Sequence, residues 1–148
     1  MAPPTLRLPS TVRDRIVARA RDGAPEEVCG VLGGRREGAG ETGSADGGAT
    51  VTRAEPVSNV ADAPRTAYEL DPGRQLDAMR AVEDDGEAVV GFYHSHPAGP
   101  RSPSATDEAR ATWSDRSYLI VALDGEEPFV GSWRWTGERF VEERVRVE

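Results

Sequence analysis

The sequence contains no lysine. All 18 basic residues in the 148-residue chain are arginines, against 26 acidic residues, and the net charge at pH 7 is −8. This balance argues against a nucleic-acid partner, whose phosphates require a basic face. Two explanations fit: a GC-rich genome, or adaptation to high salt, where an acidic surface keeps a protein soluble. In either case the chain offers no lysine amine as an acceptor for an isopeptide bond.

Cysteine and long apolar runs are also scarce. Cys29 is the one cysteine, which excludes an internal disulfide and a cysteine-based zinc finger. The longest apolar run, residues 118–123, is too short to span a bilayer, and no signal peptide is visible. We therefore expect a cytoplasmic protein that does not enter the membrane. The length favours a single domain over residues 1–148.

The hydrophobic pattern predicts a mixture of helices and strands. Helices are predicted over residues 10–21, 71–86 and 104–113, with Ser10 and Asp71 as N-caps. Strands are predicted over residues 27–34, 50–57, 65–70, 88–96, 118–123, 129–135 and 139–147. Residues 37–49 are rich in Gly and Ala and predict a flexible loop. The fold class is α/β or α+β, with a central mixed sheet.

Histidine is as scarce as methionine, with two residues of each. Both histidines, His94 and His96, fall on one predicted strand, where residues two apart point to the same face. Zinc is the metal ion that two neutral imidazoles are best suited to bind together. A catalytic zinc takes three protein ligands and a water. Asp107 can supply the third ligand. The spacing therefore predicts a metal site made by His94, His96 and Asp107.

The link between the histidines and Asp107 contains three prolines within residues 97–103, which stiffen it. Ser104 then begins a helix with Asp107 three residues later, and this spacing is also that of a capping box. A capping box is common and by itself predicts no metal. The two roles are compatible, because Asp107 can turn one oxygen to the metal.

A zinc hydrolase also needs a carboxylate near the metal that does not bind it, so that a proton can pass from water to the leaving group. Glu27, just before the apolar stretch "VCGVLGG", is the candidate. The alternative is that Glu27 is one of a solvent-exposed pair with Glu26. The pattern alone leaves both interpretations open.

The stretch "HSHPAGPRSPSATD" fits the H-[ST]-H-x7-S-x2-D signature of the JAMM/MPN+ metalloproteases, and "PEEVCGVLGG" resembles their upstream Glu-x-x-Gly element. The resemblance is strongest to the short archaeal desampylases, which remove ubiquitin-like modifiers from target proteins. It implies a curved mixed β-sheet flanked by helices and one Zn²⁺ per chain. It assigns His94, His96 and Asp107 as zinc ligands, Glu27 as the catalytic glutamate and Ser104 as the oxyanion-stabilising serine.

The resemblance also implies a reaction and a partner. Water attacks the scissile carbonyl directly, and Glu27 carries its proton to the departing lysine amine. The substrate is the Gly-Gly tail of a ubiquitin-like modifier joined to a target lysine. Such a tail can add as a β-strand beside the active-site sheet. We expect its groove near residues 62–70 and the start of the second helix.

Three alternatives remain. The first is a JAMM hydrolase that releases cysteine or another small product from a sulfur-carrier protein with the same tail. The second is a cysteine hydrolase using Cys29 and a histidine, although a cysteine within an apolar strand is more often inert. The third is a non-catalytic scaffold that binds modifiers or partners.

Overall fold

The computed structural model describes residues 3–36 and 48–148. These residues form seven strands and three helices, in the order β1 (Thr5–Leu8), α1 (Ser10–Gly23), β2 (Cys29–Arg36), β3 (Ala49–Val57), α2 (Pro72–Asp84), β4 (Ala88–His96), α3 (Ala105–Arg110), β5 (Ser117–Ala122), β6 (Phe129–Trp135) and β7 (Phe140–Val147). The strands pair in the order β1-β3-β2-β4-β5-β6-β7 and close into a barrel. The predicted α/β class with a mixed sheet is confirmed.

The closure of the sheet follows from β1, a four-residue strand that the sequence pattern did not reveal. It pairs in parallel with both β3 and β7, and β4 pairs in parallel with β5. The other neighbouring strands are antiparallel. The ring of strand pairings is therefore closed, although β1 reaches β3 only at Ala49 and Thr50. That residues 1–148 form one domain stays a prediction.

Helices cover the two faces of the sheet, because successive side chains of a strand point in opposite directions. One core contains Tyr93 of β4 and the buried side of α1, namely Val12, Ile16, Val17 and Ala20. The other contains Phe92 of β4, Val31 of β2 and Val82 of α2. His94 and His96 share the face of Phe92. The metal-site face of the sheet is therefore the one that α2 covers.

Several predicted boundaries differ from the structure. Residues 65–70 are not a strand: they contain a turn, and a single bridge joins Leu70 to Asn59. The Asn59 side chain donates a hydrogen bond to the Ala67 carbonyl and accepts one from the Glu69 N–H. These two backbone groups therefore cannot pair with a neighbouring strand. The third helix ends at Arg110 rather than at residue 113.

The predicted caps had mixed outcomes. Asp71 caps α2, accepting hydrogen bonds from two backbone N–H groups. The predicted N-cap Ser10 is instead the first residue of α1, after Pro9. The predicted loop over residues 37–49 lies outside the described residues except for its last two, and Ala49 begins β3. No helix in the described ranges is long and apolar enough to cross a membrane.

Candidate metal centre

His94 and His96 lie at the carboxyl end of β4, which pairs with β2 on one side and β5 on the other. Both histidines are buried, with 1% and 3% of the residue surface exposed. Their Nε2 atoms are 3.2 Å apart. The strand alternation inferred from the sequence thus brings the two ring nitrogens to one point.

Asp107 is buried on α3 and completes the group. Its Oδ2 atom lies 3.2 Å from His94 Nε2 and 3.1 Å from His96 Nε2. The same oxygen accepts a hydrogen bond from the Ser104 N–H at 2.9 Å, and the Ser104 hydroxyl accepts one from the Asp107 N–H at 3.0 Å. The predicted capping box is therefore present, and it aims one carboxylate oxygen at the histidines.

The connecting loop is anchored at both ends. The Gly99 N–H donates to the His96 carbonyl, and Gly99 has a φ of 84°, a conformation that favours glycine. An ion pair between the exposed Arg101 and Asp124, 3.1 Å long, adds a contact at the outer part of the loop. Asp107 is consequently pre-positioned by the fold.

The three donor atoms have the geometry of a tetrahedral metal site. Zinc holds nitrogen and oxygen ligands at roughly 2.0–2.1 Å, which separates neighbouring ligand atoms of a tetrahedron by about 3.3 Å. The observed separations between the three atoms are 3.1–3.2 Å. Two imidazoles and a carboxylate are also a donor set that zinc prefers. The residues fit a zinc ion.

The electrostatics agree with this fit. Burial lowers the pKa of His94, which favours the neutral ring that a metal needs. Burial acts in the same direction on His96, but hydrogen bonds to Asp107 and to the Pro100 carbonyl outweigh it and raise that pKa. Burial opposes ionisation of Asp107, yet its hydrogen bonds to both histidines and to the Ser104 N–H hold its pKa well below the usual range.

Glu27 lies two residues before β2, on the same face as the histidines. Its carboxylate is buried, whereas Glu26 is exposed, so the alternative of a solvent-exposed pair is wrong. One ligand atom each of Glu27, His94 and His96 lie within 4.8 Å of one another. Glu27 Oε1 is buried without a hydrogen-bond partner among the described residues. A buried, unpaired carboxylate oxygen beside two imidazoles is what a proton-transferring group requires.

The surroundings of Glu27 suit that task. Burial raises its pKa to about 7, while His96 lowers it and Asp107 raises it further. A group with a pKa near neutrality exchanges protons readily in both directions. Its backbone is fixed as well: the N–H donates to the Pro64 carbonyl at 2.7 Å, and the carbonyl accepts from Asn59 Nδ2 at 2.9 Å.

Two residues beside the site were missed by sequence reasoning. Tyr68 stacks on the His94 ring, with centroids 4.1 Å apart and planes 20° from parallel. Asn59 links Glu27 to the residues on either side of Tyr68. The segment containing Tyr68 was predicted as a strand, and no spacing rule relates it to His94. The sequence pattern therefore gave no indication that Tyr68 and Asn59 lie at the site.

Cys29 does not support a cysteine hydrolase. Its thiol is buried, and its Sγ atom lies 3.4 Å from the Val57 carbonyl oxygen. Burial raises its pKa to about 12, so the reactive thiolate is scarce at neutral pH. Cys29 is best described as part of the core.

Comparisons with known proteins identify relatives of the chain. The family model of prokaryotic homologs of the JAB domain matches residues 9–136. A desampylase from Haloferax volcanii is 46% identical over 147 residues, which are 97% of this chain and 96% of that protein. A CysO-cysteine peptidase from Mycobacterium tuberculosis is 38% identical over 133 residues, covering 89% of this chain and 84% of that protein.

A solved structure shares the fold. The solution structure of a Desulfitobacterium hafniense protein superposes with a TM-score of 0.83 at 32% identity, covering 97% of this chain and 92% of that chain. The chain therefore belongs to the family of prokaryotic JAB-domain homologs, a JAMM/MPN-like family of metal-dependent hydrolases.

Proposed function

We propose that the protein is a zinc-dependent isopeptidase that cleaves ubiquitin-like modifiers after their C-terminal Gly-Gly from lysines of target proteins. The observation that carries the proposal is the triangle of His94 Nε2, His96 Nε2 and Asp107 Oδ2, 3.1–3.2 Å on each side. The similarity to a desampylase over nearly the whole chain supports the substrate class.

In this proposal His94, His96 and Asp107 hold one zinc ion, which would supply the Lewis acid that polarises the scissile carbonyl and lowers the pKa of water. Glu27 accepts a proton from the attacking water at its unpaired Oε1. The water oxygen bonds to the carbonyl carbon, and Glu27 then delivers the proton to the lysine amine as the C–N bond breaks. No acyl-enzyme forms, because the nucleophile is water and not a side chain. The carboxylate regains its ionised form when the amine departs.

A groove beside the metal centre supports the proposed binding of an extended tail. A pocket of about 160 Å³ has among its lining residues 68–70, Gln75 of α2, and Arg110, Thr112 and Trp113. Of the region expected to hold the tail, residues 68–70 and Gln75 line this pocket. The exposed Trp113 and Leu76 provide apolar surface nearby.

The tail would pair with Leu70 rather than with the barrel. The strands around the metal centre, β2, β4 and β5, already have a paired strand on each side. At the bridge between Asn59 and Leu70, the flanking backbone bonds join Val60 to Glu69 and Asp71 to Ser58. The backbone groups of Leu70 therefore point away from that bridge, where an extended peptide can hydrogen-bond to them.

The alternative is a hydrolase that releases cysteine from a sulfur-carrier protein, and the similarity to a CysO-cysteine peptidase favours it as a second candidate. The modifier and the carrier protein both end in Gly-Gly.

The test is to offer the purified enzyme a modifier–lysine isopeptide and a carrier–cysteine adduct, before and after chelation. We expect faster cleavage of the isopeptide, loss of cleavage on chelation, and recovery with zinc. Cleavage of the cysteine adduct alone would reverse the assignment, and unchanged rates after chelation would contradict a metal-dependent mechanism.

Ser104 is proposed as a hydroxyl donor to the oxyanion in addition to its role as the cap of α3. We expect Ser104→Ala to lower stability by about 1 kcal/mol through loss of the cap. We also expect it to lower kcat by about 10²–10³-fold through loss of the donor. Thermal unfolding and steady-state kinetics measure the two effects, with the exposed Ser102→Ala as the control. A Ser104 variant that loses stability but keeps its kcat would leave only the capping role.

The acidic, lysine-free composition fits a salt-adapted protein, as does the similarity to the Haloferax enzyme. We also keep a cytoplasmic location and one zinc ion per chain as part of the proposal.

A further inference from the structure

The two histidines of the metal centre differ in what orients their rings. A histidine that binds a metal usually donates its second ring N–H to a carbonyl or carboxylate, which fixes the ring and its tautomer. His96 follows this rule, because its Nδ1 lies 2.8 Å from the Pro100 carbonyl oxygen. His94 Nδ1 is buried and has no hydrogen-bond partner among the residues that the structure describes. Another contact must hold the His94 ring.

That contact is the face of Tyr68. The two rings stack with centroids 4.1 Å apart and an angle of 20° between their planes. A near-parallel neighbour restricts rotation of the imidazole about its last bond, as a hydrogen bond would. Metal coordination draws electron density from the imidazole, and the face of a phenol ring is electron-rich, so the contact is stronger in the metal-bound state.

Tyr68 is itself held by the rest of the site. Asn59 accepts a hydrogen bond from the Glu69 N–H at 3.0 Å and donates to the Ala67 carbonyl at 3.1 Å, so both neighbours of Tyr68 are fixed. The same amide donates to the Glu27 carbonyl. Arg110 of α3 donates to the Tyr68 carbonyl at 3.3 Å. These bonds tie the backbone around Tyr68 to Glu27 and to the helix that carries Asp107.

We propose that Tyr68 is a positioning residue that orients His94 for metal binding, its stacked ring taking the place of the hydrogen bond that His94 Nδ1 lacks. This inference rests on the proposed metal site and deepens it. Tyr68 contacts the ligand His94 and not the metal. Loss of the Tyr68 ring therefore lowers the affinity for the metal, and it lowers the catalytic rate only because less metal is bound.

The experiment measures zinc affinity by competition with a chromophoric chelator for the wild type, Tyr68→Phe and Tyr68→Leu. The Phe variant keeps the ring face, and we expect its dissociation constant to lie within about twofold of the wild-type value. The Leu variant loses the face, and we expect roughly tenfold weaker binding, at the lower end of the effect of losing an outer-shell partner. The melting temperature of the metal-free protein should differ little between the two, because Tyr68 is only partly buried as a residue.

Two controls separate the possible failures. His94→Ala must lose zinc binding if the site is correct, and a wild-type protein that binds no zinc would overturn the metal site together with this inference. If His94→Ala loses zinc while Tyr68→Leu binds it as tightly as the wild type, the role of Tyr68 alone is overturned. Should the Leu variant fail to fold, Tyr68→Met replaces it, since a flexible side chain of similar length fills the space without presenting a ring face.

Discussion

Glu27→Gln is expected to lower kcat by about 10²–10⁴-fold while the protein still binds zinc. The amide has nearly the shape of the carboxylate but cannot accept the proton of the attacking water, and general acid–base groups contribute rate factors of this size. Glu27 Oε1 makes no hydrogen bond within the described ranges, so the substitution breaks no hydrogen bond of that oxygen there. Steady-state cleavage of a Gly-Gly isopeptide, with zinc content measured on the same sample, tests the prediction.

Glu26→Gln is the matched control, because it removes the same charge one residue earlier from an exposed side chain. Its kcat should equal that of the wild type. A Glu27 variant with wild-type kcat would contradict the proposed proton transfer and would favour a non-catalytic scaffold. A variant that lost both activity and zinc would instead make Glu27 a metal ligand.

Glu27→Gln should also change the stability of the protein, in a direction that depends on pH. The pKa of Glu27 rises from 4.5 to about 7 in the metal-free fold because burial disfavours the charged form. Between pH 4.5 and 7 the Glu27 carboxyl loses its proton in the unfolded chain but keeps it in the folded protein. The free energy of unfolding therefore falls as the pH rises through this range. Above pH 7, metal-free Glu27→Gln should melt at a temperature no lower than the wild type. Such a gain in stability with loss of activity is the expected trade-off at a catalytic position.

Asp107→Asn is expected to abolish activity at micromolar zinc by weakening metal binding more than about 100-fold. Loss of an outer-shell partner already costs 10–100-fold in metal affinity, so loss of a direct anionic ligand costs more. The Asn side chain still offers an oxygen to the Ser104 N–H, so α3 should keep its cap. Competition with a chelator measures the affinity, and circular dichroism checks that the fold is intact.

Glu108→Gln provides the control for this prediction. It removes an acidic charge at the next position of α3, where the side chain is exposed. Zinc affinity and kcat should remain at the wild-type values. An Asp107→Asn protein that bound zinc as tightly as the wild type would contradict the role of Asp107, and it would leave Glu27 with the two histidines as the candidate ligands.

Local periodicity was enough to predict the histidine pair. The i, i+2 spacing of His94 and His96 places both rings on one face of any strand, and the capping box fixes Asp107 relative to Ser104. These arrangements need only a few consecutive residues. The burial of Glu27 is different, because it depends on the pairing of β2 with β4 and on the turn at Pro64. The pattern therefore left its environment open.

Tyr68 illustrates what periodicity cannot supply. Thr66, Tyr68 and Leu70 alternate along its segment as they would in a strand. Asn59, however, binds the backbone on both sides of Tyr68 and replaces a ladder with a turn. The short β1 was missed for a related reason, since four residues carry too little alternation to predict a strand. In both cases partners distant in the chain decide the local conformation.

The parallel pairing of β1 with β7 has a consequence for how the protein folds. Leu6 pairs with Val145, so the barrel closes by joining residues from nearly opposite ends of the chain. Contacts between such distant residues form late, because the entropy of closing so long a loop must be paid before they stabilise anything. None of the residues proposed for the metal centre lies on β1 or β7. We therefore expect this seam to be a late step in folding, with substitutions at Leu6 mainly accelerating unfolding.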